Sequence, residues 1–503
     1  MNSLTKKEYE AVIGLEVHAQ LLTESKMFCP CRSDYQGATP NSEVCPVCLG
    51  MPGVLPVINK RAVECVIRTG LALNSDIVEH TKFDRKNYPY PDLMKGYQIS
   101  QYDKPIASGG WLSVAVDGDD RMVEINRVHL EEDVAKLFHR NDADGEAYSL
   151  LDVNRAGVPL MEIVSEPSMR SPEEARQYLV KLRTILRYLK VSTANMEEGS
   201  FRCDANVSIR EIGMDELGAK VEVKNMNSFR AVFRALQYEI ERQSKVLDEG
   251  GRIVQETRGW LEEESTTVSQ RSKEFAHDYR YFPEPDLLPL VVSRKWVAEV
   301  GSTMPELPDA RAKRYVEQLG ISQYKAEQLT LNTSFTSDYF EVAIIGINGL
   351  SNDERQSRAG IVCNLVLGDV MRLFNGIGSE LDPQRLNPSH VLEVATMLES
   401  RQLSTNMASE VLNALFESPD KNPSTIVEER GLEQISDVSM IYSKVDEAIE
   451  SNPQAVEDYF RGKESAVKFL VGQVMKSTRG QANPVLATEA IQEKLKTLEK
   501  YEF

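Results

Sequence analysis

The sequence predicts an α+β protein: a mostly antiparallel sheet with helices comes first, and an all-helical region and a helical tail follow. Three observations predict it. Residues 201–210 read FRCDANVSIR, where Phe201, Cys203, Ala205, Val207 and Ile209 alternate without a break against Arg202, Asp204, Asn206, Ser208 and Arg210. That is the two-residue period of a half-buried strand. Residues 8 to about 295 are dense in Gly, Pro, Asn and further short alternating runs. After Pro289 the texture changes to long helical patterns broken by short Asn, Gly and Pro turns. The expected domains are 1–295, 296–405 and 406–503, the second cut falling where Leu403-Ser404-Thr405-Asn406 restarts the helical pattern.

Taken in chain order, Val17, Ala19 and Leu21 alternate with Glu16, His18 and Gln20, so a strand here holds a carboxylate, an imidazole and an amide on one face. Glu16 and His18 fit a divalent-metal corner or an acid–base pair, and equally an ordinary strand face. Cys29-Pro30-Cys31 and Cys45-Pro46-Val47-Cys48 are two close thiol pairs joined by a thirteen-residue loop. This spacing can close a tetrahedral four-cysteine zinc site, structural because every ligand would be protein; a redox CxxC would need a βαβ pattern that is missing. Cys65, Cys203 and Cys363 read as small core residues, and seven cysteines in all give no disulfide framework.

Two aromatic and basic loops follow, DRKNYPYPD at 84–92 and DYRYFPEPD at 278–286; their tyrosines offer stacking faces for a base or tRNA end, or pack over the sheet. His129-Leu130-Glu131-Glu132-Asp133 gathers three acids, either around a cation or at an acid-rich helix start. Glu162 sits within Leu160-Met161-Glu162-Ile163-Val164, where an ionised group needs a cation or an Arg as partner.

A helix opens at Ser171-Pro172-Glu173-Glu174 with a capping box and proline in its first turn, then runs through Leu179, Leu182, Ile185, Leu186 and Leu189. The polar row Arg202 to Arg210 suits a ligand carrying phosphate and carboxylate, because guanidinium forks match both; a solvated sheet face is the alternative. AKVEVK at 219–224 alternates again, puts Glu222 and Lys224 on one face, and completes a hairpin. A second helix, capped by Asn227 or Ser228, shows Val232, Leu236 and Ile240 and stops at Gly250-Gly251.

Charge excludes one function class. With 58 basic and 77 acidic residues the chain carries a formal −19, which disfavours a protein that coats nucleic acid non-specifically. Any such contact must be local; Arg461, Lys463, Lys468, Lys476 and Arg479 face one acid, Glu464, on a tail helix. No window nears the roughly 18 apolar residues of a membrane span, and the start MNSLTKKEYE lacks the look of an export signal, so the expected location is the bacterial cytoplasm. Neither a Walker nor a Rossmann glycine loop occurs, so phosphate contacts must come from Arg, Lys and metal.

The blocks GLEVHAQL at 14–21, FDRKNYPYPDLMKGYQISQYD at 83–103, HLEED at 129–133, NRAGVPLMEIVSEP at 154–167, MEEGSFRCDANVSIR at 196–210 and KNMNSFR at 224–230 appear in order. QETR at 255–258, DYRYFPEPDL at 278–287 and the tail GKESAVKFLVGQVMKSTRGQANP at 462–484 extend them. Together the chain resembles, over nearly its whole length, the B-subunit family of bacterial aspartyl/glutamyl-tRNA amidotransferases. The resemblance implies a cradle-shaped α+β domain, a helical domain and a helical tail that contacts tRNA.

It also implies an activity. ATP with Mg²⁺ phosphorylates the side-chain carboxylate of mischarged Glu-tRNA(Gln) or Asp-tRNA(Asn), and ammonia from a partner, the glutaminase A subunit, displaces the phosphate; a small C subunit joins the two. By the motif match Glu16, His18, Glu131, Glu132 and Glu162 fall at the Mg²⁺ site. Arg202, Asp204 and Lys224 are expected as catalytic groups with Glu16 and His18, and Asn206, Ser208 and Arg210 as nucleotide contacts. Lys86, Arg280, Lys468 and Lys476 are expected to meet tRNA. Pro89 stands where the family commonly has Phe, Met94 where it commonly has Pro, and Val134-Ala135 where Ala-Gly is frequent. Many relatives lack the four cysteines, so zinc is not expected to take part in the reaction. A non-catalytic tRNA-binding scaffold and a free-standing ligase are the competing readings, and no glutaminase signature is present.

Overall fold

The computed structural model describes residues 8–272, 278–331, 334–432, 438–463, 465–478 and 482–499. Glu464 and Arg479 of the basic tail therefore lie outside the described residues. The chain divides into two compact units, residues 1–308 and 309–503.

The first unit is built on one large sheet. Its main strands, in chain order, are β1 (Tyr9–Gln20), β2 (Asp119–Glu132), β3 (Pro159–Ser165), β4 (Phe201–Glu211), β5 (Val221–Lys224), β6 (Glu256–Leu261) and β7 (Thr266–Ser272). Across the sheet they lie in the order β7-β6-β5-β4-β1-β3-β2, with short strands beyond β2. Pairing along this path is antiparallel except between β5 and β6. The α+β expectation holds, and β4 with β5 is the expected hairpin, Asn206 opposite Glu222.

One face is core. Ile13, Leu15 and Val17 of β1 and Phe201, Cys203, Ala205 and Val207 of β4 are buried in one cluster. Helices α1 (Lys60–Ala72), α2 (Pro172–Tyr188) and α3 (Phe229–Asp248) bring Val63, Leu179, Leu182, Val232 and Leu236 to the same cluster. Each such side chain contributes about 1.5–3 kcal/mol through its burial. The caps are as read: Ser171 Oγ accepts from Glu174 N, Pro172 opens α2, and Ser228 Oγ accepts from Ala231 N. Because strand residues alternate faces, burying this set leaves the even-numbered residues of β1 and β4 on the other side.

The aromatic loops meet on a smaller sheet, Phe282 pairing with Arg85 and Arg85 in turn with Ile99. Arg85 fixes them: its Nε and Nη2 each donate to the fully buried Glu284 carboxylate at 2.7 Å, and its guanidinium lies over the Tyr97 ring.

The second unit is helical. Helices from Pro308–Leu319 to Pro423–Arg430 share a core that includes Tyr315, Phe340, Val362, Val391, Val411 and Leu412. Those from Val438–Glu450 to Pro484–Glu499 share another, around Ile441, Leu470, Val474 and Ile491. Packing thus changes hands after residue 308 and again between Leu432 and Ile441, later than the 295 and 405 read from texture. Turn residues mark where helices restart; they do not mark where a core ends.

Candidate functional site

The polar face of the sheet carries a row of ionisable side chains set by register. Arg202 of β4 lies opposite His18 of β1, His18 opposite Glu162 of β3, and Glu162 opposite His129 of β2. Residues directly opposite in antiparallel strands point to the same face with Cβ atoms roughly 5 Å apart. Glu16 and Asp204 form the next pair along.

At the centre of the row, His18 Nε2 lies 3.5 Å from Glu131 Oε1 and 3.5 Å from Glu162 Oε2, and His129 Nε2 lies 3.3 Å from the same Glu162 oxygen. One ligand atom from each of His18, Glu131 and Glu162 falls within 4.8 Å of the others, a spacing that suits one metal ion. Among the described residues no Lys or Arg comes within ion-pair distance of either carboxylate. Two buried carboxylates whose only partners at ion-pair distance among the described residues are imidazoles, with Ser100 Oγ donating to Glu131, are an oxygen-rich set suited to a hard divalent cation. Burial opposes an imidazolium at His18, but Glu162 and Glu131 outweigh it and hold the pKa above its ordinary value. Burial likewise opposes the Glu162 carboxylate, yet His129 and His18 keep its pKa well below the usual range.

Around this centre is a cleft of about 430 Å³ lined by Glu16, His18, Lys86, Arg127, Glu131, Glu162, Arg202, Asp204, Glu222 and Lys224, with Tyr88, Tyr102, Tyr279 and Tyr281 as its aromatic wall. Arg202 donates to the buried Asp133 at 3.2 Å. Lys224 Nζ donates to Asp204 Oδ2 at 2.5 Å and lies 3.1 Å from Glu222. Burial works against the Lys224 ammonium, but these two acids hold its pKa above the ordinary lysine value. Lys86 lies over the Tyr88 and Tyr279 rings, and Glu131 leads the acids that keep it charged despite its burial.

The sequence-predicted residues divide. Glu16, His18, Lys86, Glu131, Glu162, Arg202, Asp204 and Lys224 share the cleft. Glu16 accepts from Asn206 Nδ2 at 2.9 Å, one strand pair away from the three-residue centre. Glu132 turns away: as the residue after Glu131 on a strand it faces the opposite side, where Lys95 Nζ donates to both its oxygens at 2.5 and 2.6 Å. His129 to Glu132 end β2, with Asp133 just beyond it, and do not start a helix. Asn206 and Ser208 line a neighbouring pocket of about 380 Å³ that reaches the cleft through Glu16. Arg210 is engaged by Glu10 at 2.8 Å, beyond both pockets. Arg280 is exposed at φ +46°, and its neighbours Tyr279 and Tyr281 line the cleft instead. Lys468 and Lys476 are exposed on the Ser465–Ser477 helix, opposite the buried Val467, Leu470 and Val474.

Sequence reading missed Arg127, His129, Asp133, Glu222 and Tyr102 as cleft residues. His129 was legible in principle, two residues before Glu131 and so on the same strand face; reading HLEED as a strand would have exposed it.

The sulfurs of Cys29, Cys31, Cys45 and Cys48 also lie within 4.8 Å of one another and could hold a metal such as zinc. The Cys45 main-chain N donates to Cys48 Sγ at 3.1 Å, as in a knuckle turn that presents its thiolates to one ion. Cys65, Cys203 and Cys363 are buried in the cores. Among the described residues no helix is long and apolar enough to cross a membrane.

Comparison with known proteins adds two family matches: the GatB/GatE catalytic domain over residues 11–298 and the GatB domain over residues 351–495. The chain is 54% identical to the B subunit of the aspartyl/glutamyl-tRNA(Asn/Gln) amidotransferase of Dehalococcoides mccartyi (strain CBDB1), covering 97% of this chain and 99% of that one. It is 52% identical to the protein of the same name from Carboxydothermus hydrogenoformans, covering 98% and 100%. The corresponding protein of Moorella thermoacetica is 51% identical over 97% and 100%.

Proposed function

The chain belongs to the family of tRNA amidotransferase B subunits, and from this we propose that its cleft activates the side-chain carboxylate of mischarged Glu-tRNA(Gln), Asp-tRNA(Asn) or both. The carboxylate oxygen takes the terminal phosphoryl group of ATP, leaving ADP and an acyl phosphate. Ammonia, released from glutamine by a partner glutaminase (the A subunit), then forms the C–N bond as phosphate departs and a proton is lost. A small C subunit completes the complex in a bacterial cytoplasm.

The observation that carries this reading is the transverse row Arg202, His18, Glu162 and His129 with Glu131 beside it. Phosphorylating a carboxylate brings two anions together, and positioning with fixed countercharge is most of what a protein supplies to such a step. His18, Glu131 and Glu162 would hold Mg²⁺, which neutralises phosphate charge when bound. Arg202, Lys86 and Lys224 lie in the same cleft and supply the remaining positive charge. Asp133 and the Asp204/Glu222 pair hold Arg202 and Lys224 in place. Glu16, with Asn206 bound to it, stands between the charged cleft and the neighbouring pocket, where Asn206 and Ser208 suit the nucleoside end of ATP. The exposed Lys468 and Lys476 suit the tRNA body, and the four-cysteine cluster suits a structural zinc ion.

The test is Glu162→Gln in the reconstituted complex, supplied in turn with Glu-tRNA(Gln) and Asp-tRNA(Asn). ATP-dependent conversion should fall by at least about 10²-fold while binding of the mischarged tRNA is retained. Unchanged conversion would instead favour a scaffold that only holds tRNA, and turnover by the isolated chain on free glutamate would favour a free-standing ligase.

A further inference from the structure

Lys26 is a buried cation whose position nothing in the cleft explains. It is 1% exposed. Its Nζ donates to the Glu43 carbonyl at 2.8 Å, and among the described residues no carboxylate lies within ion-pair distance. A buried ammonium bonded to one neutral carbonyl is costly, so a residue of this kind points to an anion nearby.

The four-sulfur cluster supplies that anion once it holds a metal. The Lys26 main-chain N donates to the Cys31 carbonyl at 2.9 Å, and its stem and the Cys48 side chain both flank Gly157, where a built Cβ would lie 3.6 Å from Lys26 Cδ and from Cys48 Cβ. Four neutral thiols would leave the ammonium uncompensated. Four thiolates around one divalent ion carry a net charge of about −2, which a single buried ammonium partly offsets. Through Glu43, two residues before Cys45, the same ammonium ties the second thiol pair to the loop segment that carries the first.

We propose that Lys26 is the built-in countercharge of a four-cysteine metal centre, a positioning residue that offsets the charge of the ligating sulfurs and keeps the metal held. This rests on the zinc reading of the cysteine cluster. Removing the charge should weaken metal retention by roughly 10–100-fold, the usual consequence of losing an outer partner of a metal site. It should also make the bound thiolates more nucleophilic, because nearby positive charge withdraws density from sulfur.

The experiment uses the full chain, purified with zinc, as wild type, Lys26→Gln and Lys26→Met. Gln can still donate to the Glu43 carbonyl without a charge, so it separates charge from hydrogen bonding; Met tests whether the stem alone suffices. Zinc content, competition with a zinc-chelating dye and the N-ethylmaleimide alkylation rate of Cys29, Cys31, Cys45 and Cys48 are read by metal analysis, absorbance and mass spectrometry. The expected result is one zinc per wild-type chain, with both variants losing it at lower chelator concentration and alkylating faster at these four positions. A folded Lys26→Gln that matches wild type in affinity and alkylation overturns the role of Lys26 and leaves the zinc reading standing. A wild-type chain that binds no zinc overturns both.

Discussion

Replacing Asp133 by asparagine asks whether the cleft is held by charge or by packing alone. Asp133 is 2% exposed; it accepts from Gln20 Nε2 at 2.7 Å, Val134 N at 2.9 Å and Arg202 Nη2 at 3.2 Å, with Arg155 Nε at 3.6 Å. Asparagine keeps the shape and removes the charge, so two guanidinium groups lose their counter-ion. Removing one partner of a buried ion pair costs roughly 3–5 kcal/mol. Water takes up part of the loss at Arg202, whose side chain is 37% exposed, so the lower end, about 3 kcal/mol or roughly 10² in the folding equilibrium, is expected.

All three tryptophans, Trp111, Trp260 and Trp296, lie in the first unit, so fluorescence during urea unfolding reads that unit. The pH dependence has a definite sign. Burial alone would raise the Asp133 pKa, but Arg202 and Arg155 outweigh it and hold the carboxyl below its usual value. A group depressed in the folded state adds stability above its unfolded pKa, about 3.9 for Asp, and that stability is lost as pH falls through the folded value. The gap between wild type and variant should therefore be full at pH 7 and close in strong acid. Equal urea midpoints at pH 7, or a gap that persists unchanged at the acid end, would refute the argument.

Three further outcomes follow from the same geometry. Glu131→Gln should weaken divalent-cation binding measured by calorimetry, whereas Glu132→Gln should leave it unchanged and lower stability in urea, because Lys95 then loses its carboxylate partner. Cys48→Ser, or removing zinc with a chelator followed by restoring Mg²⁺, should speed hydrogen exchange in residues 24–59 and lower the thermal midpoint while conversion of mischarged tRNA persists, since the cysteine cluster lies outside the cleft. Lys468→Ala and Lys476→Ala should each weaken tRNA binding and lower the salt slope of log K by about 1, with turnover at saturating tRNA unchanged.

Alternation of buried and polar residues in the sequence already determined much of this. The period of FRCDANVSIR places Arg202 and Asp204 on one face because a strand cannot do otherwise, and the same rule pairs Glu16 with His18. The thiol spacing and the Ser171 and Ser228 caps are likewise local, fixed by a few neighbouring residues. Pairing register is not local. That His18 meets Glu162, and Glu162 meets His129, depends on how β1, β3 and β2 align over more than a hundred residues of chain. One step of register would turn each of these side chains into the core. Tertiary structure alone decided that Glu131 belongs to the metal-suited centre while Glu132 serves Lys95, that Arg210 is spent on Glu10, and that Tyr279 and Tyr281, not Arg280, face the cleft. The physical reason is common to all: composition and period say which face a side chain occupies, but only the packed sheet says which charges share it.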